Sequence, residues 1–278
     1  MIDEDLVDEF ARDGAVVTRG LLDARSLELA RRAVDDALVA PTARAIVASA
    51  DDDPGRFVED FRTRDHLPWV DRLTASSQLA AVAAALTAST EIRLHHDHVL
   101  VKEPGTHQRT PWHQDQPYYD IAGRQVVSAW IPVDPVPLDA SLEVVAGSHL
   151  GPWCVPRTFL HHEARWFPEG QLAELPDIDA EPDAHHILAW ELEPGDVVWF
   201  HFLAIHGAPG VAGTGRRRVL SLRFVGDDAR WDPRPWPTSP SFPELPDELD
   251  PGAAFDHPLF PVVWPGGVNR ARSRPSPD

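Results

Sequence analysis

A mainly β domain, a sandwich or barrel with helical decoration, is the fold class that this 278-residue sequence predicts. Three observations carry it. Short apolar segments separated by turn signals recur from about residue 91 to residue 225. Helical periodicity is confined to the first ninety residues. No G-x-G-x-x-G follows a candidate strand, so a βαβ fold with a dinucleotide site has no support.

Along the chain, Asp23 is placed to cap a helix from Ser26 to about Ala40, where Pro41 stops it. Leu27, Ala30, Val34 and Leu38 give that helix one apolar stripe. The run Asp51-Asp52-Asp53-Pro54-Gly55 reads as a loop. The Ala- and Leu-rich segment 76–89 predicts a buried helix. From Glu91 a long strand is expected, ended by Pro104-Gly105. Strict alternation would put Ile92, Leu94, His96, His98, Leu100 and Lys102 on one face, and Arg93, His95, Asp97, Val99 and Val101 on the other. Further strands are expected at 125–133, 142–145, 186–192, 196–203 and 218–225, separated by turns such as Leu138-Asp139-Ala140 and Pro194-Gly195-Asp196. After Arg230 the chain is Pro-rich, which favours extended, irregular structure. Its aromatics Trp231, Trp236, Phe242, Phe255, Phe260 and Trp264 are expected to fasten it around the domain. The organisation is therefore one domain over 1–270, helical to 90, β-core over 91–228 and wrap over 229–270, with 271–278 expected to be a disordered tail.

Charge and composition exclude several functions. With 25 basic and 44 acidic residues the formal charge is −19, and Lys102 is the one Lys among the basic residues. Such a balance repels nucleic acid and anionic membranes, so neither is an expected partner. A single Cys154 precludes an intramolecular disulfide and Cys-rich zinc modules. No apolar run reaches the ~18 residues of a membrane span. The beginning Met1-Ile2-Asp3-Glu4-Asp5 is acidic where a signal peptide is basic, so a cytoplasmic location is expected. Any metal site must then draw on the 14 His and the carboxylates.

The segment Thr110-Pro111-Trp112-His113-Gln114-Asp115 carries the chemistry. On a strand, residues two apart share a face about 6.6–6.8 Å apart, close enough for one imidazole and one carboxylate to grip one ion. Further on, Val197-Val198-Trp199-Phe200 leads to His206-Gly207, and Arg217 follows eleven residues later. Two His and one carboxylate on a β scaffold form the facial triad of non-haem Fe(II) oxygenases. Three protein ligands leave positions for a bidentate 2-oxo acid and O₂, and an Arg can fork onto the far carboxylate of 2-oxoglutarate.

His113-Gln114-Asp115, His206-Gly207 and Arg217 in this order, with Leu142-Glu143-Val144-Val145-Ala146-Gly147-Ser148-His149 between them, resemble the phytanoyl-CoA dioxygenase family of Fe(II)/2-oxoglutarate oxygenases. The resemblance runs from about Arg93 to Val225. It implies a double-stranded β-helix, the cupin-like jelly roll. It implies that 2-oxoglutarate is decarboxylated to succinate and CO₂ while an unactivated carbon of a small molecule is hydroxylated, with ascorbate in support. It implies iron on His113, Asp115 and His206, and 2-oxoglutarate held by Arg217, with Gln114, Trp130 and Thr110 also contacting it. Because Asp115 is present, hydroxylation is favoured over halogenation. Two departures stand out: Ala208 where some relatives have Ser, and Asp139-Ala140-Ser141 for a more usual Asn-Gly turn, expected to affect geometry and not chemistry. The same iron centre could instead serve desaturation, epimerisation or cyclisation; a non-catalytic jelly-roll binding protein and a zinc hydrolase are the other classes.

Remaining candidates are less specific. Tyr118, Tyr119, His98 and Arg223 are candidate substrate contacts, and Trp112, Tyr118 and Trp199 candidate aromatic walls. His95 and His96 are expected to be buried or hydrogen-bonded, His149 structural, and His161-His162 and His185-His186 loop or edge residues. Lys102 is expected at the surface, with a pocket cation as the alternative, and Arg62 and Arg64 could lie over the mouth as an anion site. No basic cluster beyond Arg216–Arg218 offers itself to the phosphates of coenzyme A, which favours a smaller free metabolite. The oligomeric state is not readable.

Overall fold

The computed structural model describes residues 2–156 and 172–266. Helix α1 (Glu4–Asp13) ends on Gly14, whose φ of 77° lets its N–H reach Phe10 O at 2.8 Å. Strand β1 (Ala15–Thr18) follows directly. Helix α2 (Ala24–Val39) starts as expected, with the Asp23 carboxylate accepting from Ser26 N at 2.8 Å. Then come β2 (Ile46–Val47), β3 (Phe57–Phe61), α3 (Trp69–Ser76) and α4 (Leu79–Leu86). The helix expected at 76–89 is thus shorter, because Ser77 is extended and separates α3 from α4.

The β-rich part contains β4 (Ile92–Lys102), β5 (Thr110–His113), β6 (Ile121–Ala122), β7 (Val126–Pro132), β8 (Glu143–Val145), β9 (Ile187–Leu188), β10 (Val197–Phe200), β11 (His206–Ala208) and β12 (Arg217–Val225). It ends with β13 (Arg230–Trp231), the short helix α5 (Leu245–Glu248) and β14 (Val262–Trp264). Of the strand expected at 186–192, only Ile187–Leu188 forms a ladder, while Leu192 makes an isolated bridge to Val136.

Among the described residues, eight strands form one sheet in the order β1-β10-β7-β12-β4-β3-β2, with β14 beside β4. Four form a second, β5-β11-β8-β9. Every ladder is antiparallel. Two facing antiparallel sheets are the jelly-roll arrangement expected. The large sheet, however, draws β1, β2 and β3 from the first ninety residues and β14 from the wrap, so it extends beyond 91–228.

Each face of the large sheet has its own cover. Val99, Val101, Val127, Ala129, Ile131, Val197, Trp199, Leu220 and Leu222 pack against α1, α2, α3 and α4 through Phe10, Ala30, Val34, Leu73 and Leu79. The opposite face meets the small sheet, where Trp130, Leu142, Val144, Val198, Phe200 and Val219 pack together. Strict alternation fails in β4. A register shift opposite Arg223/Phe224 leaves one residue of β4, His95, without a partner on β12. Before this bulge Ile92 and Leu94 join the helix-covered face; after it His98 and Leu100 join the other.

The Pro-rich segment wraps as expected. Trp231, Phe242, Leu245, Phe255 and Phe260 are buried against Tyr119, Ile121, Val126, Phe202 and Val225. Trp236 Nε1 donates to Pro117 O at 2.9 Å, and Ser239 N to Tyr118 O at 2.9 Å. The proposed tail 271–278 and the pair His161-His162 lie outside the described residues.

Candidate metal centre and cosubstrate pocket

Hydrogen bonding in the small sheet sets His113 and His206 directly opposite each other on β5 and β11. Asp115 joins them by a different route from the one expected. It lies past the end of β5 with helical dihedrals (φ −72°, ψ −44°), at the start of a short turn over Gln116–Tyr118. Its N–H donates to Phe202 O at 2.8 Å. A turn, not strand alternation, brings the carboxylate back towards the two rings. Asp115 Oδ1 lies 3.7 Å from His113 Nε2 and 3.8 Å from His206 Nε2, and the three ligand atoms fall within 4.8 Å of one another.

The surroundings suit a divalent cation. His113 Nδ1 is 2.8 Å from Pro111 O and His206 Nδ1 is 2.9 Å from Ala204 O. A carbonyl only accepts, so each Nδ1 carries the proton and each Nε2 presents a lone pair to the shared point. Burial pushes the His206 imidazole down to about 3, with His113 adding repulsion, so the ring stays neutral. For Asp115, burial alone would raise the pKa, yet the group is held well below the usual carboxylate range, above all by the Arg223 guanidinium. Two imidazole nitrogens and one carboxylate oxygen are the donor set of a facial Fe(II) site, and these residues fit the ion that the sequence suggested.

Asp115 Oδ2 points elsewhere. Arg223 Nε is 2.9 Å from it, Ser128 Oγ donates to it at 3.1 Å, and Arg223 also bonds Tyr119 Oη at 3.0 Å and Ser221 Oγ. Ser128 and Ser221 carry no sequence signal; cross-strand pairing of Arg223 with Ser128 brings the first into place.

A cavity of about 450 Å³ opens from these ligands between the sheets. Arg217, Trp130, Thr110, Tyr118, Tyr119, His98 and Arg223, all expected near the site, line it. Arg217 is buried, its guanidinium lies 5.8 Å from the Trp130 ring, and it donates to Ala140 O. The Asp139-Ala140-Ser141 turn thus positions a cation directly, beyond the purely geometric effect expected. Among the described residues no carboxylate pairs with Arg217, and burial lowers its pKa to about 10. A buried guanidinium without a counter-ion is a receptor for an anion. Ala208 also lines the cavity, so the hydroxyl some relatives offer there is missing.

Other expectations change. Gln114 does not line the cavity: its Nε2 donates to Pro152 O (3.1 Å) and Leu203 O (2.9 Å), and its Oε1 accepts from Cys154 N (2.7 Å). Trp199 faces the helices and donates to Thr18 Oγ1, while Trp112 donates to Asp179. Of the expected aromatic walls Tyr118 lines the cavity, joined by Phe61, Phe200, Trp130 and Tyr119. Alternation explains Phe200: it is the inward neighbour of Trp199, and its ring lies 4.4 Å from that of His206. Lys102 is not a surface charge. It is buried opposite Arg217, donates to Ala208 O (3.1 Å) and Pro209 O (3.0 Å), and burial drives its pKa well below the lysine range. Arg62 is no anion site either, being paired with Asp65 and Glu244 and set 4.4 Å from the Phe242 ring. Arg64 pairs with Asp71. His149 is structural, as expected, with Nε2 3.2 Å from Ala11 O.

Residues 10–219 match the phytanoyl-CoA dioxygenase (PhyH) family. The chain belongs to this family. A probable phytanoyl-CoA dioxygenase of Caenorhabditis elegans is 31% identical over 127 residues, covering 43% of this chain and 37% of that protein. The peroxisomal phytanoyl-CoA dioxygenase of Rattus norvegicus is 26% identical over 183 residues, covering 63% and 50%. The matched stretches thus span half or less of these relatives. Among solved structures, the fold is shared with the α-ketoglutarate-dependent carbocyclase SnoK of nogalamycin biosynthesis (TM-score 0.73, 21% identity, 94% of this chain and 96% of that one). It is shared with the epimerase SnoN, crystallised with Fe³⁺, α-ketoglutarate and nogalamycin RO (TM-score 0.71, 22% identity, 94% and 98%). EctD from S. alaskensis, with 2-oxoglutarate and 5-hydroxyectoine, also overlays (TM-score 0.64, 22% identity, 87% and 82%).

Proposed function

We propose that this chain is an Fe(II)/2-oxoglutarate-dependent oxygenase acting on a metabolite-sized molecule. The observation that carries the reading is the pairing, in one cavity, of the His113–Asp115–His206 cluster with a buried Arg217 that has no acidic partner among the described residues. When bound, iron and 2-oxoglutarate supply an O₂-dependent oxidation of a C–H bond, with succinate and CO₂ released.

The chain's own residues bind and orient. His113 and His206 present fixed Nε2 lone pairs because their Nδ1 atoms are tied to backbone carbonyls. Asp115 offers one oxygen to the metal because Arg223 and Ser128 hold the other. Arg217 receives the distal carboxylate of the cosubstrate, its angle set by Ala140 O and Trp130. Thr110 lies within the same cavity as a further contact. Phe61, Phe200, Tyr118, Leu100 and Leu142 exclude water from the space beside the metal.

Hydroxylation is the first reading, since Asp115 completes the ligand set where a halide would otherwise have room. Epimerisation or carbocyclisation is the second reading, favoured by the extent of the overlay with SnoK and SnoN. Both ends of the reaction are small molecules in this reading. No helix of the described residues is long and apolar enough to cross a membrane. A reducing aqueous compartment such as the cytoplasm suits a chain whose Cys154 is buried and free.

Succinate release from 2-oxoglutarate, with iron and ascorbate present, tests the proposal. His113→Ala and His206→Ala are expected to abolish it. Arg217→Met is expected to raise KM for 2-oxoglutarate ten- to a hundredfold, the loss of one charged hydrogen-bonded pair of about 1.5–3 kcal/mol. Full turnover in either histidine variant would overturn the assignment.

A further inference from the structure

The cavity continues past the metal ligands over β12, β4, β3 and β2. Its far wall is apolar, built from Ile46, Val47, Ala48, Phe61 and Leu100. Two side chains interrupt it. Cross-strand pairing of Glu59 with Leu100 and of Phe61 with His98 places Glu59 and His98 on the cavity face of β3 and β4. Glu59 is 1% exposed and His98 7%. Glu59 Oε1 and His98 Nε2 lie 3.1 Å apart, within ion-pair range of a protonated imidazole but without hydrogen-bond alignment, and among the described residues neither atom has a hydrogen-bond partner. The His98 ring is stacked on Phe61, with centroids 4.0 Å apart, which fixes the direction of Nε2.

A buried carboxylate oxygen and an imidazole nitrogen without partners cost free energy in the empty site and recover it when a ligand completes them. Neither group belongs to the metal cluster or to the Arg217 end. The nearby cations are already engaged: Arg223 with Asp115, and Lys102 with the carbonyls of Ala208 and Pro209. Among the described lining residues, no cation is therefore left for an anionic substrate once Arg217 has taken a carboxylate, and Glu59 opposes one.

We propose that Glu59 and His98 form the substrate-recognition subsite, taking a hydroxyl or primary ammonium group on an otherwise apolar ring or chain. A hydroxyl donates to Glu59 Oε1 and accepts from His98 Nε2–H; an ammonium donates to Glu59. The apolar remainder lies along Ile46, Val47, Phe61 and Leu100. This assignment rests on the oxygenase reading, which places the cosubstrate at Arg217. The cosubstrate and the substrate share about 450 Å³, within the range of a single small-ligand pocket, so the substrate is small.

The test uses three fluorescent probes of one shape: 2-naphthylmethanol, 2-naphthylmethylammonium and 2-naphthoate. Each is titrated anaerobically into the full chain loaded with Fe(II) and 2-oxoglutarate. The alcohol and the ammonium are expected to bind at least tenfold tighter than the carboxylate. Glu59→Leu is expected to bring all three within threefold, and Glu59→Gln to keep the preference for the alcohol while losing that for the ammonium. Equal binding of naphthoate and alcohol by the unmodified chain, no binding of alcohol or ammonium at millimolar concentration, or an unchanged ranking in Glu59→Leu would each overturn the subsite. Should the Leu variant fail to fold, the ranking in the unmodified chain and in Glu59→Gln decides. Succinate release by the unmodified chain is followed in parallel. Its failure would count against the oxygenase reading, and a failed ranking alone against the subsite.

Discussion

Asp115 divides its two oxygens between different tasks. Oδ1 faces the imidazoles, while Oδ2 is held by Arg223 and Ser128. Arg223 is thus a positioning residue, although its register on β12 made it a candidate for substrate contact. Arg223→Met keeps the length of the side chain and removes the charge. The carboxylate then keeps only neutral hydroxyl partners besides the metal site, Ser128 and Tyr119, and is freer to rotate. Loss of such an outer partner typically weakens metal binding ten- to a hundredfold, and that is the expected fall in Fe(II) affinity by anaerobic titration. Arg223→Lys keeps the charge without the fork and is expected to recover part of it. If both variants bind Fe(II) like the unmodified chain, Asp115 does not depend on this support.

At the scale of elements, α1 is joined to β1 of the large sheet through a single glycine, which packs against the turn that follows β8. Gly14 has φ 77°, and a Cβ there would lie 2.3 Å from His149 Nδ1. His149 in turn reaches Ala11 O in α1. Gly14→Ala therefore meets both left-handed strain, about 1–2 kcal/mol, and a clash with a buried ring. His149→Ala removes the ring, so the double variant is expected to be more stable than the sum of the single losses by about 1 kcal/mol, measured by urea unfolding. Simple additivity would mean that the ring moves aside at no cost. Elements differ in how far they can be read from sequence. The cap at Asp23, the stop at Pro41 and the strand from Arg217 follow from local preferences, and so they match; the strand expected at 196–203 ends at Phe200, and His206 starts a separate strand set by pairing with β5 and β8. The β4 bulge at His95 does not, because it is set by pairing with β12, and one unpaired residue inverts the faces on either side of it. The same limit applies to Asp115, whose closeness to His113 follows from spacing while its turn does not. Gln114 sits within the motif, yet its partners Pro152, Cys154 and Leu203 are far along the chain, so no local pattern reveals its direction. Glu59 is hidden by its setting in a part of the chain that reads as helical and becomes a strand through pairing with β4.

For the whole molecule, the charge of −19 describes the solvated surface, while the buried interior holds imidazoles that stay neutral. Burial pushes His95 and His201 down to about 3 and His96 well below its ordinary value. His201 shows why protonation is resisted. Its Nε2 is 2.9 Å from Arg124 O and its Nδ1 accepts from Leu203 N at 3.0 Å, so a second proton would break the latter bond. These groups bind protons more readily unfolded, with a pKa near 6.5, than folded. Their contribution is complete above about pH 6.5 and is lost as pH falls towards 3, at about 1.4 kcal/mol per pH unit for each group. Between pH 6.5 and 5 most exposed carboxylates remain ionised in both states, so the histidines dominate the slope. Stability from urea unfolding is expected to fall steeply over this window, with a slope of up to about four protons, His206 being the fourth such group. His201→Gln keeps a donor and an acceptor but cannot titrate. It is expected to reduce the slope by about one proton whatever its effect on absolute stability, and any contribution from metal binding cancels between the two chains. An unchanged slope would mean that His201 reaches solvent and takes up its proton without unfolding.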